Sequence, residues 1–215
     1  MNKMKDESIN LAIRENEKNS PDWELSDLAD RLYWWVDYFN FTFFKDQPVP
    51  VPVISFERTN VNNLGHYVIG RNAIGVKENI NINNIHLKRP FWEILATLLH
   101  ELTHSWQASY GRPSNNWYHN NEFRSKMRKF GIFTNKKGYH IKVADPFVAV
   151  LRRQGIEFVG ADQSDGIIIL PPTVKPKGKS KLKKWSCGCT NIRVAVKDFQ
   201  AKCLKCENIF KLVSY

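Results

Sequence analysis

The sequence predicts an α+β protein: one domain of helices packed on a small β-sheet, followed by a small module held together through cysteines. Three observations carry this. Apolar residues recur at helical spacing around Trp35 and again around Leu98, the stretch between them alternates as strands do, and all four cysteines fall between positions 187 and 206. A chain of 215 residues suits one domain with a small appendage. Its 42% hydrophobic content, with seven Trp, is enough apolar surface to offset chain ordering, which excludes a largely disordered protein.

Residues 1–19 are rich in Asn, Lys and Glu with a thin apolar face, and read as a flexible terminus or weak helix. Ser20, Pro21 and Asp22 then read as an N-cap, a first helical residue and a first-turn acid. Leu28, Leu32, Trp35, Val36 and Phe39 give that helix one apolar stripe, which stops before Pro48, Pro50 and Pro52. Three short strands are expected at 51–55, 66–69 and 74–82, in an antiparallel or mixed sheet with turns at Asn62-Asn63, Gly65, Gly70 and Gly75. Pro90 opens a long helix that runs to about Ser109 and closes near Gly111 and Pro113, and a further helix is expected at 121–130. Beyond Thr134 the pattern thins to a helix at 145–154 and a β-rich run at 166–170. Pro171-Pro172 and the lysines that follow mark an exposed linker, residues 173–184, between a main domain at 20–172 and a cysteine module at 185–215.

The chemistry concentrates at His100-Glu101-Leu102-Thr103-His104. Each helical residue advances about 100°, so the two histidines lie about 40° apart on one face, one turn from each other. Leu95, Leu98, Leu102 and Trp106 fall on the opposite side, which keeps the histidines off the apolar stripe. Glu101 flanks the pair, where it can reach a metal-bound water without ligating the metal. A Zn²⁺ ion on three protein ligands keeps an open position, lowers the pKa of its water towards ~7 and polarises a carbonyl. Glu101 is then the general base, and later the general acid towards a departing amine. The third ligand is open among His119, Glu122, His140, His66 and His86. His119 is the best placed, because it follows a loop broken by Gly111 and Pro113 that can turn the chain back to the metal, and Glu122 is its rival. Tyr110 and Tyr118 offer hydroxyls for an oxyanion, although such tyrosines more often only pack.

Cys187-Gly188-Cys189 and Cys203-Leu204-Lys205-Cys206 read as a zinc ribbon with a hairpin through residues 192–196, so a second, structural zinc is expected on the four thiolates. The formal net charge is +11, and residues 171–215 carry most of it: 11 Lys or Arg against only Asp198 and Glu207. That field, interleaved with Trp185, suits a nucleic-acid backbone. No apolar run approaches the ~20 residues of a membrane span, and the first 20 residues lack the apolar stretch of a secretion signal, so the expectation is a cytoplasmic protein, nucleoid-associated if it binds DNA.

In this order of features the chain resembles the SprT/Spartan family of zinc-dependent peptidases. The resemblance rests on an amphipathic helix, Gly65-His66-Tyr67 in a short sheet, Leu99 followed by the His-Glu-x-x-His segment, His119-Asn120-Asn121-Glu122-Phe123 and the cysteine tail. It covers residues 25–130 and 185–210. It implies a zincin-like metallopeptidase domain with a C-terminal zinc ribbon, His119 as third ligand, one catalytic and one structural zinc, and protein substrates held on or crosslinked to DNA. The family often has Gly where this chain has Asn120, and residues 134–170 match no part of its pattern. Two other readings are consistent with the residues: a nucleic-acid-binding zinc protein whose histidine site is structural or inactive, and a zinc hydrolase acting on a non-protein amide.

Overall fold

A computed structural model describes residues 2–114, 118–159, 182–196 and 198–213, with side chains from Glu7 onward. The chain divides into two compact units, Met1–Thr173 and Val174–Tyr215. The first is mixed α+β. In order it holds α1 (Asn2–Lys18), α2 (Ser26–Phe43), β1 (Val53–Ser55), β2 (Gly65–Arg71), β3 (Lys77–Ile82), a 3-10 turn (Asn84–His86), α3 (Phe91–Tyr110), α4 (Asn121–Lys129), β4 (Ile132–Thr134), β5 (His140–Val143) and α5 (Phe147–Arg153). The three-stranded sheet has the order β1-β3-β2, with β1 parallel and β2 antiparallel to β3, so β2 is an edge strand.

The stripe expected on α2 is buried through Leu32, Trp35, Val36 and Phe39, and it meets Leu95, Leu98, Leu99 and Leu102 of α3 in one core with Ile54, Ile80 and Ile82 of the sheet. Burying a side chain of this size contributes about 1.5–3 kcal/mol, so this core fixes where α3 lies. Phe123 and Met127 of α4 complete it, which seats the start of α4 against α3.

Of the two readings of residues 1–19 the helix is the one present, and the start expected for the second helix is corrected. Residues 2–18 form a helix that is pinned by polar contacts instead of an apolar face. Buried Asn10 donates to the carbonyls of Val51 and Lys77 at 2.8 and 3.1 Å, Arg14 pairs with Asp37, and the Tyr33 hydroxyl donates to Glu17. The second helix begins at Ser26, not at Ser20, because both serines are engaged at the end of α1: Ser20 donates to the Asn16 carbonyl at 2.6 Å and Ser26 to the Glu17 carbonyl at 2.9 Å. The β4–β5 ladder was not expected. Its strands, three and four residues long, are too short for alternation to show in the sequence. The β-rich run expected at 166–170 and the lysines from Lys175 to Lys181 lie outside the described residues.

The second unit is a three-stranded antiparallel sheet of β6 (Lys183–Ser186), β7 (Asn191–Val194) and β8 (Lys211–Leu212), in the order β7-β6-β8. The hairpin expected within 192–196 is instead a pairing of β7 back onto β6, across a turn that holds Cys187-Gly188-Cys189, where Gly188 takes φ +93. Lys183 and Lys184 therefore belong to the sheet, not to a linker. Trp185, Cys187, Cys203 and Phe210 make its small core. Among the described residues no helix is long and apolar enough to cross a membrane.

Candidate metal centres

The long apolar face of α3 buries that helix from Trp92 to Gln107 and leaves His100, Glu101 and His104 along the floor of a cleft of ≈ 760 Å³. His119 arrives from the loop before α4. Two local bonds set its position: the Asn120 side chain caps α4 by accepting from the Phe123 N–H at 3.0 Å, and the His119 N–H donates to the Lys136 carbonyl at 3.3 Å. The result is convergence. His119 Nε2 lies 2.9 Å from His100 Nε2 and 3.1 Å from His104 Nε2, and the three residues form a group able to hold one metal ion. Phe123 packs against all three imidazoles, with its ring 4.2 Å from that of His104, and so walls off one side of the cluster.

Burial pushes His104 down to about 3 and His119 to about 4, and it holds His100 well below the ordinary histidine value. These rings are therefore neutral at pH 7, the form that donates a lone pair to a metal. Nitrogen ligands at ~2.0–2.1 Å around a tetrahedral ion sit roughly 3.3 Å from one another, close to the spacing found here, so the donor set fits a metal with room for a further ligand. Glu101 is not one of the grouping residues. Its carboxylate is buried, accepts from the Tyr67 N–H of edge strand β2, and is pushed up to about 8 by burial. Close approach of β2 makes this contact possible: a Cβ on Gly65 would lie 2.9 Å from Thr97 Cγ2 and 3.3 Å from Glu101 Oε1.

The other candidates are placed elsewhere. Glu122 accepts from Gln107 Nε2 at 2.6 Å and from the Arg112 N–H at 2.7 Å, which ties down the loop after α3. His86 Nε2 bonds the Val61 carbonyl. Tyr110 donates to the Pro48 carbonyl, whereas Tyr118 and His66 line the cleft. His140, one of the residues left open as third ligand, is instead behind a ligand, buried with Nε2 at 3.1 Å from His100 Nδ1. Sequence reasoning also passed over Gly138, whose backbone lies against the His119 ring. The turn signature Asn135-Lys136-Lys137-Gly138 between two β-rich triplets was the signal for both.

In the second unit Cys187, Cys189, Cys203 and Cys206 form the other group able to hold a metal ion. The Sγ atoms of Cys187 and Cys189 are 3.4 Å apart and those of Cys189 and Cys203 3.6 Å apart, and all four cysteines are free. Such spacings are far longer than a ~2.05 Å disulfide and close to the roughly 3.8 Å expected between thiolates around a tetrahedral ion. The peptide N–H groups of Cys206 and Lys205 hold Cys203 down to about 6, which favours its thiolate. No family model matches the chain, and no curated protein or solved structure matches it either.

Proposed function

We propose that the chain is a zinc-dependent endopeptidase of the SprT-like kind, its first unit a zincin-like domain and its second a Cys₄ zinc ribbon. The observation that carries the reading is the convergence of three Nε2 atoms beside buried Glu101, on the floor of a cleft bordered by an edge strand. His100, His104 and His119 hold the catalytic ion. When bound, zinc supplies a Lewis acid that acidifies water and polarises the scissile carbonyl. With an ion held on the three histidines, its positive charge would favour ionised Glu101 against the effect of burial, and Glu101 then takes the proton of the attacking water and returns it to the leaving amine. The Tyr67 N–H aims the Glu101 carboxylate during both transfers, and the buried floor strengthens each of these interactions. Cys187, Cys189, Cys203 and Cys206 hold the structural zinc.

The ribbon supports the further proposal that substrates are proteins held on, or crosslinked to, DNA. Lys184 stands directly opposite Arg193 across β6 and β7, and Lys211 stands opposite Ser186 on β8, which puts three exposed cations on one face of the sheet. Like charges set opposite each other cost stability, and a polyanion relieves that cost.

Elemental analysis tests the metal sites first. Two zinc ions per chain are expected, and one in His119→Ala. Glu101→Gln should keep both ions and the fold while cleavage of an unfolded protein substrate falls by about 10²–10⁴-fold. A wild-type chain that carries both ions yet cleaves neither free nor DNA-bound protein would overturn the peptidase reading.

A further inference from the structure

We propose that His140 is the positioning residue of the His100 ligand, and that the β4–β5 turn which carries it is a brace presenting two of the three imidazoles to the metal. The inference rests on the metal-site reading above and assigns a role to a hairpin that supplies no ligand itself.

The two nitrogens of His100 face different partners. Nε2 meets His119 Nε2 at 2.9 Å, and Nδ1 meets His140 Nε2 at 3.1 Å. These nitrogens leave the imidazole ring on different edges, so His140 stands behind the ligand, and the metal-holding group is His100, His104 and His119 without it. Proton accounting then fixes both rings. A neutral imidazole carries one N–H, and His100 can offer a lone pair from Nε2 only if its proton is on Nδ1. His140 Nε2 accepts that proton's hydrogen bond, which places the proton of His140 on its own Nδ1. His100 is thereby held in one tautomer and one ring rotation. A carboxylate or carbonyl usually fills this place behind a metal-bound histidine. An imidazole nitrogen can accept the same hydrogen bond and adds no negative charge beside the three neutral rings.

The same hairpin braces His119. Gly138, at φ +85, packs so closely on that ring that a Cβ would lie 2.3 Å from His119 Cε1, and the Lys136 carbonyl holds the His119 N–H. The turn is itself rigidly tied. The Asn135 side chain accepts from the N–H groups of Lys137 and Tyr139 at 2.9 and 3.1 Å, and the Asn135 carbonyl accepts from the Gly138 N–H at 3.0 Å. His140 follows directly, at the first position of β5 and paired with Thr134 of β4. One short turn thus sets the angle of two ligands that come from different elements.

The test is zinc titration of the full chain against a chromophoric chelator, for wild type, His140→Ala and His140→Gln, with His119→Ala marking which binding step belongs to the histidine site. In parallel, ¹⁵N-resolved imidazole spectra of the zinc-loaded chains report the tautomer of His100. His140→Ala should weaken the histidine-site step by about 10–100-fold, leave the cysteine-site step unchanged, and blur His100 into a mixture of tautomers. His140→Gln, whose side-chain carbonyl can accept from His100 Nδ1, should recover most of the affinity and the single tautomer. Equal affinity and an unchanged His100 spectrum in His140→Ala would overturn the proposal, as would a loss that Gln fails to restore and that tracks a lower melting temperature of the metal-free chain. A wild type with no histidine-site step would instead remove the metal-site reading on which the proposal stands.

Discussion

Tyr33 is fully buried in α2, yet its hydroxyl has a partner on each side: it donates to Glu17 of α1 and accepts from the Ile54 N–H of β1 at 3.0 Å. Removing that oxygen leaves a buried peptide N–H and a half-buried carboxylate without it. Tyr33→Phe should therefore cost about 1–3 kcal/mol, read as a shift in the urea denaturation midpoint. Glu122 makes the complementary case near the metal site. Because it is occupied by Gln107 and Arg112, Glu122→Gln should leave the zinc content unchanged while lowering stability by about 1–2 kcal/mol in the same denaturation experiment, whereas His119→Ala removes an ion. The contrast shows what a sequence exposes at this scale. His100, Glu101 and His104 share one helix, so their geometry follows from spacing alone. Whether Glu122 or His119 faces them depends on where the chain returns to α3 before α4, and the meaning of His140 depends on a turn that no periodicity marks.

At the scale of elements, β3 is the strand on which the site depends. Ile80 and Ile82 point into the core, and Asn79, Asn81 and Asn83, at alternate positions, are buried on the other side. The side chains of Asn81 and Asn83 tie down the chain beyond the end of β1. Asn81 accepts from the Glu57 N–H at 2.6 Å and the Ser55 hydroxyl at 3.2 Å and donates to the Glu57 carbonyl at 3.2 Å. Asn83 donates to the carbonyls of Asn60 and Asn63. They order the loop that leads into β2, the strand whose Gly65 and Tyr67 press on Glu101. Asn81→Ala should thus destabilise the chain by at least about 2 kcal/mol in urea and slow the proposed peptide cleavage at saturating zinc, because the buried partners lose their bonds and β2 loses its anchor. Element legibility followed length. The broad apolar stripes of α2 and α3 span several turns and are plain in the sequence. By contrast, α1 is held by Asn10 and Arg14 instead of an apolar face, and β4 and β5 are shorter than one readable period.

On the scale of the whole molecule the two units are stabilised by different physics. The first buries residues such as Leu32, Phe39, Leu95, Leu98 and Phe147 in one continuous core, which includes none of the three histidines able to hold an ion. Among its described residues the second buries Trp185, Phe210 and two cysteines, with Ile192, Val194 and Phe199 packed beside them, while Leu204 and Ile209 stay exposed. So small a core does not offset chain ordering by itself, and a metal ion on the four cysteines would supply the difference. Four thiolates brought within reach of one another would also repel without a cation between them. Treatment with a strong chelator should therefore divide the chain in hydrogen exchange. Amides of β6, β7 and β8 should lose their protection together, while those of α2 and α3 keep most of theirs, although the histidine site is emptied as well. Adding one equivalent of zinc back should restore the ribbon first, since four thiolates bind zinc more strongly than three neutral imidazoles do, by more than the part of that binding free energy spent on folding the ribbon, even though the histidines of α3 are already held in place by the core that surrounds them. If instead the protection of α3 collapsed with that of the ribbon, the first unit would need its ion to fold, and the apolar core would not be its main support.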